Sequence, residues 1–338
     1  MKLVFCGDTA IPFDTIIDYS QILSIFKDKT VIANLEGSIL LDKSEEKLYR
    51  YKNKYSLYSS KNIIDVLNEL QVKYVSLCNN HSLDFDIPLE RNKEILSKNK
   101  INSWGYKNYD IIKIKDNNIY IITFATIACE HNFTLFSPKE ILSSIKSIKK
   151  NDKDANIVIY PHWGNECSKL PEPSDRNLAH KMIDAGADII IGHHPHVIQP
   201  IEIYKGKYII YSCGNFILPQ TTFAGQDLKY PTNEVLKELF VEYSDGKPTI
   251  YKISFDKELK KLYTDDSIEL NYIDSNISSS SYLKRFIKYR GLIKYLLYCR
   301  YSNSHFGEKF CYLRRIVIKN IRNLLIKIGV HKPGKNNI

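Results

Sequence analysis

"ADIIIGHHPH", residues 187–196, joins an uninterrupted apolar run to a glycine and then to three of the chain's nine histidines. The run does not alternate apolar with polar residues, as a strand with one wet face would, so it reads as a strand covered on both faces. A histidine cluster at the end of such a strand suggests a metal site; a polar loop is the competing reading. Similar runs recur on both sides of it: "KLVFC", "TVIANL", "VKYVSLC", "IYIITFATIA", "NIVIYPHW" and "KYIIYSCGNF". Between several of them, residues 62–70, 88–96, 138–148 and 176–185 carry helical periodicity. Strands alternating with helices predict an α/β fold around a largely parallel, doubly covered sheet. Further on, "KELFVEYSDG" and "KPTIYKISFD" predict a hairpin around an Asp-Gly turn that closes the sheet.

The 338 residues are 43% hydrophobic and 25% charged, the balance of a globular protein with one sizeable core and an appendage. No apolar run approaches the roughly 18–20 residues of a spanning helix, and "MKLVFCGDTA" has no apolar signal region, so a cytoplasmic address is expected. Seven scattered cysteines without a CxxC pair read as reduced core residues. The net charge of +10 is uneven. Residues 281–338 hold 14 Lys and Arg against Glu308 alone, leaving the first 280 residues slightly acidic. The expected organisation is a main domain over 1–273, a polar linker over 274–281 ("DSNISSSS") and a basic amphipathic helical tail over 282–338. Apolar positions at Leu283, Phe286, Ile287, Ile293, Leu296 and Leu297, and again at Leu313, Ile316, Val317, Ile321, Leu324 and Leu325, alternate with bases. That pattern suits docking on an anionic membrane surface or on another protein. Nucleic acid is the weaker candidate partner, because apolar residues are as frequent there as charges.

The polar residues of interest each follow an apolar strand. "VFCGDT" supplies Asp8, "IANLEG" Asn34 and Glu36, "SLCNNHSLD" Asn79, Asn80, His81 and Asp84, "IYPHWGNE" His162 and Glu166, and "IGHHPH" His193, His194 and His196. Open α/β sheets bind ligands beyond the carboxyl ends of their strands, so these five loops are expected to converge on one crevice. Mixed His, Asp and Asn sets suit a hydrolytic centre with one or two divalent transition ions (Mn, Fe or Zn) more than structural zinc. Taken singly, Asp8 after Gly7 reads as a turn or cap, and residues 79–81 as a hydrogen-bonded loop. His180, inside a helix, reads as a packing or surface residue, and Trp163 and Tyr211 as sheet packing as readily as site neighbours. Asn215, in "SCGNF", either contacts a ligand or caps the turn. Pro195 is expected to hold the His194–His196 loop extended.

In order and approximate spacing, "GDT", "NLEG", "SLCNNHSLD", "HWGNE", "DAGADIIIGHHPHVIQPIE" and "IIYSCGNF" resemble the bacterial capsule-synthesis CapA family, associated with poly-γ-glutamate capsules, over about residues 1–255. That family is similar in fold to calcineurin-like metallophosphatases, so the resemblance implies a sandwich of mixed β-sheets flanked by helices, followed here by the basic helical extension. It further implies a capsule or exopolymer biosynthesis protein with a metal-dependent phosphoesterase-like site for a phosphoester or anionic polymer; the basic tail adds an expected peripheral position at the inner face of the membrane. The alternative it leaves open is a non-catalytic polymer-binding subunit of a capsule synthesis or export complex. Carried over by position, Asp8, Glu36, Asn80, His162, His194 and His196 are the implied metal ligands. His81 is the implied proton donor, with Asp84 either orienting it or capping the helix near Pro88. Asn34 is the alternative to Glu36 at the bridging position, and Asn34, Asn79, Glu166, His193 and Asn215 are the expected substrate contacts. Ala10 stands where calcineurin-like enzymes carry the histidine of Asp-x-His.

Overall fold

The computed structural model describes residues 2–49, 56–106, 109–114, 118–127, 137–244 and 246–290. Cys129, Asp245, Cys299, Cys311 and the tail positions from Ile293 to Leu325 named above lie outside these residues. Two compact units emerge among the described residues: one within 1–171 and 178–275, the other of residues 172–177 with 276–290. In the second, the helix Ser279–Arg290 buries Tyr282 and Phe286, with the Arg176 guanidinium 5.1 Å above the Tyr282 ring. This helix begins inside the polar stretch 274–281. Among the described residues no helix is long and apolar enough to cross a membrane.

The first unit contains two mixed sheets where the apolar pattern alone predicts one. In the eight-stranded sheet, Leu3–Thr9 lies parallel to Thr30–Leu35, which lies parallel to Val72–Ser76 and then Asn102–Trp104. On its other side Leu3–Thr9 runs antiparallel to Lys237–Ser244. That strand pairs with Lys247–Asp256, with Ser244 opposite Lys247, which is the expected hairpin. The seven-stranded sheet centres on Ile189–Ile191, flanked in parallel by Asn156–His162 and Lys207–Ile210.

Strand periodicity explains how a continuous apolar run serves both faces. Leu3, Phe5 and Ile32 of one sheet share a core with Val158, Tyr160, Ile189 and Ile191 of the other, so each sheet buries a face against its counterpart. The residues between them, Val4, Cys6, Val31 and Ala33, point the opposite way, into a second core with Ile63, Leu67 and Leu96 of the helices Ile63–Glu69 and Leu89–Lys98. The eight-stranded sheet is thus doubly covered, by the second sheet on one face and by helices on the other.

"KYIIYSCGNF" departs from the expected single strand. Lys207–Ile210 belongs to the seven-stranded sheet, whereas Asn215–Ile217 pairs in parallel with Leu3–Thr9 in the eight-stranded one. The chain changes sheets between them, turning at Gly214, whose φ of +76° an L side chain would resist. This transfer sets Asn215 in register with Asp8, which on its other edge is in register with Asn34.

Candidate metal centre

The strand-end residues of both sheets meet in one buried cluster. Asp8, Asn34 and Glu36 come from the eight-stranded sheet, and His162, His193, His194 and His196 from the seven-stranded one. All are almost completely buried. His193 Nδ1 lies 2.8 Å from Asp8 Oδ1 and 3.0 Å from His162 Nδ1. His162 Nε2 lies 2.7 Å from Asn80 Oδ1 and 3.5 Å from Glu36 Oε1. His196 Nδ1 is 3.4 Å from Asp8 Oδ2, and the His194 backbone N–H donates to that same oxygen at 2.9 Å.

Four overlapping sets place their ligand atoms within 4.8 Å of one another: Asp8, His162 and His193; Glu36, His162 and His194; Asp8, Glu36 and His196; and Glu166, His194 and His196. Two donors on one transition ion are separated by at most roughly 4.4 Å. The sets therefore need only a small contraction to close on a cation. Imidazole nitrogens, carboxylates and the Asn80 amide oxygen crowd their lone pairs into one volume, and this donor chemistry fits a divalent transition ion.

Hydrogen bonds lock the frame around these donors. Asn34 Nδ2 donates to Asp8 Oδ1 (2.8 Å), and Asn79 Nδ2 donates to Asn34 Oδ1 (3.1 Å) and to the Leu35 carbonyl (2.8 Å). Asn79 Oδ1 in turn accepts from the His81 backbone N–H (3.0 Å) and from the Ser82 hydroxyl (2.9 Å). Asn215 Oδ1 lies 2.8 Å from His196 Nδ1 while its Nδ2 donates to the Val235 carbonyl, orienting the ring. The three asparagines expected at the substrate thus hold other side chains in place. Two residues of the histidine loop depart from the extended path expected of Pro195: His194 has φ +97° and His196 φ +56°. Left-handed geometry at two residues that are not glycine marks backbone strain retained at a site.

Burial by itself would raise the Asp8 carboxyl, but the adjacent His193, then His196 and His194, outweigh it and hold the group at about 2. His81 stands apart from the four sets. Its Nδ1 lies 2.5 Å from Asp84 Oδ2, which also accepts from the Leu57 N–H. The helix Leu89–Lys98 is entered through Pro88 without a side-chain cap, so Asp84 is engaged with the imidazole. Glu166 is exposed at the rim.

Two aromatic neighbours escaped the sequence reading. Tyr160 packs on His193 with ring centres 4.4 Å apart; it precedes His162 by two on the same strand, so period-two alternation points to it. Tyr230 lies 5.1 Å from the His196 ring. Burial, and then the charges of Glu166, Glu36 and Asp8, push its phenol well above the ordinary value; nothing in "DLKYPTNE" announces it. Trp163 and Tyr211 stack and share a hydrogen bond from the indole N–H to the Tyr211 carbonyl. A Cβ on Gly192 would meet that carbonyl oxygen at 2.2 Å and the indole nitrogen at 2.4 Å, so glycine is required beneath the tryptophan. His180 pairs with Glu202 (2.9 Å) and stacks on Tyr204, the packing role expected of it.

The family model for the bacterial capsule synthesis protein PGA_cap matches residues 3–220. The PGA biosynthesis protein CapA of Bacillus subtilis is 31% identical over 231 residues, 61% of this chain and 57% of that protein. The capsule biosynthesis protein CapA of Bacillus anthracis is 31% identical over 212 residues, covering 56% of this chain and 50% of the relative. The chain therefore spans about half the length of these curated relatives. Among solved structures, a purple acid phosphatase from yellow lupin seeds is similar with a TM-score of 0.39 and 12% identity, covering 83% of this chain and 56% of that one.

Proposed function

The chain belongs to the bacterial capsule synthesis protein family PGA_cap, and from that premise we propose that it works in the biosynthesis of an anionic capsule polymer of the poly-γ-glutamate type, as a metal-dependent hydrolase of a phosphoester or of the polymer. The observation that carries the reading is the convergence of Asp8, Glu36, His162, His194 and His196 from both sheets into sets of ligand atoms within 4.8 Å, with Asn80 Oδ1 2.7 Å from His162 Nε2. These residues would hold one or two Mn, Fe or Zn ions. A bound ion of this kind polarises a substrate oxygen and lowers the pKa of a coordinated water.

The remaining work falls to the protein's own side chains. Asp84 fixes His81 through Nδ1, which leaves Nε2 as the nitrogen able to give a proton to a departing oxygen. The bonds from Asp8 through Asn34 and Asn79 to the His81 backbone tie the proton donor to the ligand frame, so the two keep a fixed separation without substrate. Asn215 aims His196. The basic segment beyond Arg290 supplies attraction to an anionic membrane face or to the capsule-synthesis machinery, with the main domain ending near residue 273.

Metal counting on purified protein, followed by assay against bis(p-nitrophenyl) phosphate and poly-γ-glutamate, tests this reading. Near-stoichiometric transition metal with turnover of either compound is the expected result. Metal-free protein that still binds the polymer would establish a non-catalytic binding subunit instead.

A further inference from the structure

Glu166 is exposed, yet its carboxylate comes within 4.8 Å of ligand nitrogens on both His194 and His196. Its loop is fastened at several points. The Cys167 N–H donates to the Pro195 carbonyl (2.8 Å), between the two histidines. Gln199 Nε2 donates to the Ser168 carbonyl (2.8 Å), and the Ser168 N–H returns to the Asn165 carbonyl (3.2 Å). On the other side, the Trp163 N–H donates to the His193 carbonyl (3.2 Å). Left-handed turns at Gly164 (φ +87°) and Cys167 (φ +55°) bend the chain so that Glu166 crosses the rim. The two loops are thereby stitched together on either side of the carboxylate.

We propose that Glu166, His194 and His196 form a cation position at the solvent edge of the centre, making Glu166 a metal ligand where the sequence suggested a substrate contact. The inference rests on the cation-binding reading above and adds a ligand to it. One carboxylate and two imidazoles make a three-ligand site that leaves coordination positions open to water or substrate. Because Glu166 is exposed while Asp8 and Glu36 are buried, an ion held here exchanges with solvent more readily than one held deeper.

The test uses full-length protein stripped with chelator, then titrated with Mn2+ by calorimetry and with Co2+ by visible absorption. Glu166→Gln keeps size and removes charge. It should lose the weaker class of Mn2+ sites, or bind there roughly 10-fold or more weakly, and should alter the Co2+ spectrum. Glu166→Asp, which keeps the carboxylate, should retain part of the binding. If Glu166→Gln matches the wild type in stoichiometry, affinity and Co2+ spectrum, the rim position is refuted while the deeper centre stands. Wild-type protein that takes up neither ion overturns both.

Discussion

Asp8 and Glu238 are both buried carboxylates of the eight-stranded sheet, and burial acts on both in the same sense, yet they end far apart. Asp8 sits at a strand end among His193, His194 and His196 and is held at about 2. Glu238 lies within Lys237–Ser244. Burial pushes its carboxyl well above the ordinary value, and its Oε2 has no hydrogen-bond partner among the described residues. Depth does not decide the charge state; neighbours do. Asp8 is a concentrated negative charge ready to be shared with a cation, whereas burial works against ionisation of Glu238, which has no charged partner among the described residues to offset it.

Removing the charged member should have the largest effect. Asp8→Ala is expected to lower transition-metal affinity by about 100-fold or more, read by metal counting after dialysis, whereas Glu238→Gln leaves metal content unchanged. Equal metal content in the two variants would erase the functional contrast. The His81–Asp84 pair extends the comparison to proton transfer. His81→Ala should reduce turnover by about 100-fold while metal content holds, and unchanged turnover would remove His81 from the chemistry.

Glu242 offers a middle case four residues along the Glu238 strand. Burial would raise it, but Lys29 at 2.6 Å and Lys2 at 2.9 Å bring it down to about 2. A depressed carboxylate stabilises the fold above its unfolded value of about 4.3 and loses that contribution as pH falls toward 2. Glu242→Gln should therefore cost about 2 kcal/mol at pH 7 in denaturant titrations, with the gap to wild type closing near pH 2. Glu238 has the opposite sign: a raised carboxyl stabilises below about pH 4 and its contribution is lost as pH rises. Glu238→Gln should accordingly gain about 1 kcal/mol at pH 8 and nothing at pH 4. A loss at pH 8 would show that Glu238 is ionised and partnered.

The centre was legible where chemistry coincided with strand ends. Asp8, Glu36, His162 and the 193–196 cluster each follow an apolar run, and the rule that strand ends meet ligands brought them together. The apolar pattern alone left the sheet count open, because a strand covered by a second sheet and one covered by a helix bury the same residues, so "KLVFC" reads alike in either setting; the family motifs implied the sandwich of mixed sheets that the structure has. The break inside "KYIIYSCGNF" depends on a single glycine at positive φ, and glycine also occurs in loops of every other kind. By sequence His193 reads as a substrate contact, and only the fold shows that it lies against Asp8. The left-handed turns at His194 and His196 run against residue preference and were invisible for that reason.

The passage of the chain between sheets at 211–214 has a consequence for how the protein is made. Leu3–Thr9 acquires two of its neighbours, Asn215–Ile217 and Lys237–Ser244, from more than 200 residues downstream. Pairings of such long sequence separation form slowly, since loop closure must precede their reward. During synthesis the first strand therefore waits with one edge open until residue 244 has emerged, and an unpaired apolar edge invites association with other chains. Early collapse against Thr30–Leu35 covers only the other edge, so the open edge persists throughout this interval.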